Sequence, residues 1–92
     1  MSLYGMFTVD LNRGVSEDAR DIFNEYLRKN NWTKLKLTTT WWAQFTDSST
    51  ETSALLIVKK HVRDAASAAG IYNYEVSVMF GPSAPQVWNQ AA

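Results

Sequence analysis

Asp10 and Glu75 are the side chains whose type and placement best suit chemistry in this sequence. Asp10 closes the alternating stretch FTVDL and Glu75 opens the alternating stretch YEVSVMF, so each falls among the polar positions of a predicted strand. If those strands lie antiparallel side by side, the end of the first meets the beginning of the second, and both acids share a face. Such a pair suits Mg²⁺, which takes one or two carboxylates, keeps several waters, and activates water for attack on a phosphodiester. The plainer reading is favoured: Asp10 and Glu75 are solvated, or pair with Lys34 and Lys36 across the sheet or a dimer interface.

The remaining reactive side chains are sparse. His61 is the sole histidine, set off the apolar stripe of a predicted helix among Lys59, Lys60 and Arg63, and reads as solvated. Those three cations with Lys34 and Lys36 form the best local anion patch, although a charged helix face is usually just a wet one. Among the tryptophans, Trp41 belongs in a core, whereas Trp42 and Trp88 suit an interface better than base stacking, because no basic groove surrounds them. With no cysteine and one histidine, no nucleophilic triad, disulfide or thiolate zinc site can be assembled. Asn12, Arg13 and Gly14 are too short and glycine-poor for a phosphate loop.

The elements that hold these residues follow from periodicity. Tyr4 to Leu11 alternates, with Phe7, Val9 and Leu11 inward and Met6, Thr8 and Asp10 outward. Ser16 then caps a helix whose first turn carries Glu17 and Asp18; Ala19, Ile22, Phe23, Tyr26 and Leu27 form its apolar stripe, and Asn30 with Asn31 ends it. From Leu35 to Phe45 the odd positions are mostly apolar and the even ones polar, save Trp42. The stretch 33–46 is too long for one ordinary strand and predicts a hairpin near Thr38 and Thr39. Ser48 and Glu51 read as a capping box before a helix with Leu55, Val58, Val62, Ala65, Ala66 and Ala69 on one stripe and Gly70 as its stop. A competing reading makes Ala54 to Val58 a strand paired with Trp41 to Thr46, and starts a shorter helix near Lys59. Tyr72 to Phe80 alternates again as a last strand, before Gly81 and Pro82 release an extended tail over 82–92.

Strand, helix, two strands, helix, strand predicts a ferredoxin-like α+β domain over residues 1–92. It is a two-layer sandwich with an antiparallel sheet and both helices on one face. The other face then carries Met6, Thr8, Asp10, Lys34, Lys36, Trp42, Glu75, Ser77 and Met79. Apolar groups there predict a homodimer or another protein partner, with Met6, Trp42, Met79, Val87 and Trp88 at the interface. A chain of 92 residues buries roughly 60 to 70% of its unfolded surface, enough for one core without crosslinks. Nine cations balance nine acids, so no global field draws in a polyanion, and nucleic acid is an open partner only through a local patch. The longest apolar run, Ala54 to Val58, cannot cross a bilayer, and with no export signal the expected location is the cytoplasm.

The order FTVDLNR, helix, NNW turn, LTTTWW resembles the small CRISPR-associated endonucleases and their ferredoxin-like relatives, the SinR-type virulence-associated proteins and the GhoS-type antitoxin ribonucleases. The resemblance runs to Phe45 and is not traceable beyond it. It implies a homodimer in which Asp10 helps to hold a divalent metal, such as Mg²⁺, for phosphodiester cleavage. Two functions from different classes are therefore expected: a dimeric structural or regulatory module without a cofactor, or a metal-dependent endoribonuclease or other nucleic-acid-associated protein.

Overall fold

The computed structural model describes residues 2–11, 14–35, 39–46, 48–86 and 88. Its elements run β1 (Leu3–Leu11), α1 (Glu17–Lys29), β2 (Thr33–Lys34), β3 (Thr40–Phe45), α2 (Glu51–Ala69) and β4 (Tyr74–Gly81). The strands form one antiparallel sheet in the order β2-β3-β1-β4, which is the ferredoxin-like α+β arrangement that the element order predicts. Among the described residues no helix is long and apolar enough to cross a membrane.

Each helix begins and ends on local chemistry. The Ser16 hydroxyl accepts from the Ala19 amide at 3.1 Å, satisfying one of the orphan donors of α1. Its far end closes through Asn30, whose side chain donates to the Tyr26 carbonyl at 2.9 Å, and Asn31, which takes a left-handed φ of 70°. The α2 cap is not the expected Ser48 and Glu51 pair. Thr50 is the N-cap, and Thr50 with Ser53 forms the reciprocal box: each side-chain oxygen accepts the other residue's amide, at 3.1 and 3.0 Å. Hydroxyls of Thr46 and Ser49 bond to each other at 2.9 Å, so the serine-rich stretch satisfies itself ahead of the helix. Gly70 closes α2 in the left-handed conformation that only glycine adopts at no steric cost. Because α2 runs unbroken from Glu51, the alternative strand over Ala54 to Val58 does not exist.

The core lies between one sheet face and both helices. Phe7, Val9 and Leu11 of β1 and Trp41 of β3 pack against Phe23 and Leu27 of α1 and Val58, Val62, Ala65 and Ala66 of α2. Trp32 and Ile71, just outside the helices, complete it. Gly5 admits the close approach of two rings across this face. A Cβ there would meet Phe45 at 2.8 Å and Phe80 at 3.0 Å, and those rings lie 6.2 Å apart, edge to face. Four residues of the predicted apolar series fall outside the core: Ile22, Leu55, Tyr72 and Val76. Ile22 is 48% exposed, because α1 presents Phe23 and Leu27 at its centre and leaves Ile22 on the flank. Tyr72 is exposed as well, since β4 starts only at Tyr74.

The hairpin lies between β2 and β3, with residues 36–38 outside the described residues. Its register reverses the predicted facing of β2. Lys34 stands opposite Trp41 and the Leu35 amide donates to the Thr40 carbonyl at 2.9 Å, so even positions of β2 share a face with odd positions of β3. Lys34 therefore points to the helix side and Leu35 to the other, because paired positions whose numbers sum to an odd value have opposite parity.

Candidate functional site

The face away from the helices is built from cross-strand rows fixed by register. Tyr4 lies between Gln44 and Gly81, Met6 between Trp42 and Met79, and Thr8 between Thr40 and Ser77; Asp10 stands directly opposite Glu75. The face therefore has an apolar end and a polar end. At the apolar end the Tyr4 and Trp42 rings are 6.1 Å apart and Met79 is 68% exposed. A groove of about 450 Å³ opens there, lined by Tyr4, Met6, Leu35 and Met79 and walled by Ser83, Pro85 and Gln86 of the tail. The expected interface residues Met6, Trp42 and Met79 thus form one continuous row. Val87 lies outside the described residues, and Trp88 is 84% exposed, uncovered by its own chain.

At the polar end the Thr8 and Thr40 hydroxyls are hydrogen-bonded at 3.1 Å, and the exposed Asp10 and Glu75 follow one row further along. Two carboxylates on paired positions of neighbouring strands have the donor chemistry that Mg²⁺ accepts. Among the described residues no group of three or more His, Cys, Asp or Glu side chains is placed to hold a metal. Lys34 faces the other side of the sheet and is unavailable to either acid, and Lys36 lies outside the described residues.

The expected cationic patch is divided. Lys34 belongs to the β2 edge, whereas Lys59 and Arg63 flank β4 at the opposite edge. Lys60 is tied to Asp64 by an ion pair of 2.8 Å, and Arg63 reaches the same carboxylate at 3.7 Å. The hydrogen bond between Lys60 and Asp64 raises the lysine pKa and lowers that of the acid, each favouring its charged form.

His61 is not solvated. It is half-buried, and its Nδ1 accepts a hydrogen bond of 2.9 Å from Trp32 Nε1, with the rings perpendicular. An indole N–H only donates, so Nδ1 must carry a lone pair and the ring is neutral. Burial lowers its pKa first, and the charge of Lys60 adds to the effect. The sequence signals only half of this: a tryptophan following a helix end is bulky enough to be buried and its N–H then needs an acceptor, but nothing in the spacing points to His61.

No family model matches the chain, and neither a curated protein nor a solved structure does.

Proposed function

We propose that the protein is a small homodimeric module, structural or regulatory, that works through its open sheet face and C-terminal tail. The observation that carries this reading is the row Trp42, Met6 and Met79, an apolar stripe across three strands on a face that no helix covers among the described residues. Four strands about 4.8 Å apart and at most about nine residues long at about 3.4 Å each span at most roughly 590 Å² in projection. A stable interface takes about 800 Å² of accessible surface from each partner, and the tail that walls the groove adds to the surface this face offers.

Light scattering at micromolar concentration tests this. The wild type should weigh about twice 10.4 kDa. Trp42→Glu should be monomeric, because the dimer would bury an unpaired charge, and removal of the residues after Pro82 should weaken association. A monomeric wild type refutes the reading.

A second reading, metal-dependent phosphodiester cleavage, is favoured by the direct opposition of Asp10 and Glu75. It requires Mg²⁺ or Mn²⁺ to raise the melting temperature of the wild type but not of Asp10→Asn, together with cleavage of RNA that the substitution removes. The expected outcome is no metal effect in either protein.

A further inference from the structure

We infer that the outer edge of β4, together with the groove between β4 and α2, accepts an extended acidic segment of a partner protein. This inference is independent of the dimer, which uses the other face.

Among the described residues nothing pairs with the outer edge of β4. Val9 of β1 donates to Thr39 at 3.1 Å, so odd residues of β1 bond toward β3 and even residues bond toward β4. Met6 and Thr8 therefore engage Met79 and Ser77, which leaves the N–H and C=O groups of Val76 and Val78 directed outward. β4 ends the sheet, runs for eight residues and contains neither proline nor bulge. Proteins usually blunt such an edge with short strands, prolines or charges, and the opposite edge, β2, has only two residues.

Beside this edge lies a groove of about 430 Å³ whose apolar wall is Leu55, Val76 and Val78 and whose rim carries Lys59 and Arg63. Val76 remains 36% exposed. Arg63 shares Asp64 with Lys60, whereas Lys59 has no acidic partner among the described residues. Glu75 is on the other face of the strand and cannot serve it. A second copy is the wrong occupant. Twofold pairing of β4 with itself sets α2 beside its copy, running the opposite way, and brings Lys59 and Arg63 against like charges. An extended chain with apolar residues at alternate positions and a carboxylate among them satisfies the free backbone, the groove and the cations together.

Fluorescence anisotropy decides this with dye-labelled eight-residue peptides of alternating threonine and valine. In one peptide aspartate replaces a central valine; in another, lysine does. The aspartate peptide should bind at least about tenfold tighter, and the double variant Lys59→Glu, Arg63→Glu should reverse the preference. N-methylation of alternate amides in the peptide should abolish binding in one of the two registers. The proposal is overturned if neither peptide binds, if both bind equally, or if the charge reversal leaves the preference unchanged. It is also overturned if light scattering shows the double variant alone gaining or losing a subunit, since the edge would then be a contact between copies.

Discussion

Acidification should loosen the core through one hydrogen bond. Trp32 is 4% exposed, and its N–H finds its acceptor in His61 Nδ1 at 2.9 Å. A protonated imidazole carries hydrogen on both nitrogens, so it faces the indole donor with a second donor. Leaving a buried donor without an acceptor costs about 1 to 3 kcal/mol. In a domain of this size each kcal/mol lowers the melting temperature by about 4 to 8 °C. His61→Ala should therefore melt several degrees below the wild type at neutral pH. The pH dependence follows from the lowered histidine pKa, which burial causes first and Lys60 reinforces. The unfolded chain takes up a proton near the ordinary value of 6.5, while the folded chain resists until a lower pH. Stability from the neutral ring is thus complete above pH 6.5 and is lost as pH falls below that value toward the folded pKa. His61→Gln offers an oxygen acceptor that does not titrate in this range. Melts followed by circular dichroism between about pH 8 and about pH 5 should show the wild type losing ground to the Gln variant below 6.5. A constant gap between the two proteins across that range would refute the requirement for a neutral ring.

Other expectations separate packing from exposure. Val62→Ala removes methyl groups from a closed core and should destabilise by about 1 to 3 kcal/mol in urea unfolding, whereas Ile22→Ala should stay within about 0.5 kcal/mol. Gly5→Ala drives a methyl group into Phe45 and Phe80, and the overpacking of about 1 to 3 kcal/mol outweighs the roughly 0.5 to 1 kcal/mol that alanine recovers in chain entropy. Adding Phe45→Leu to Gly5→Ala should recover part of that loss, measured in the same unfolding experiment.

The order of elements was legible because each carries its own signal: alternation in β1 and β4, Ser16 before α1, Gly70 after α2. The pairing of Asp10 with Glu75 was equally legible, since the topology alone sets the end of β1 against the start of β4. Facing within β2 was not. Alternation reads continuously through a hairpin, but the chain reverses there, and only the pairing of Lys34 with Trp41 reveals that Leu35 has changed sides. Ile22 misled for a related reason, because an apolar residue on the border of a helical stripe lies inside or outside according to where the neighbouring helix sits. The acceptor role of His61 depends on Trp32, separated from it by 29 positions, and spacing within one helix carries no trace of that contact. The cap at Thr50 was hidden among several hydroxyl residues of similar capping strength.

The brevity of β2 bears on how large an assembly this sheet can build. A filament grown edge to edge needs two receptive rims on every unit, one to give and one to receive. Among the described residues one rim is eight residues long and the other two, so a strand that docks on β4 finds no equivalent step to repeat on the far side. Growth along the sheet therefore stops after one addition, and binding at that edge is saturable, with a fixed stoichiometry.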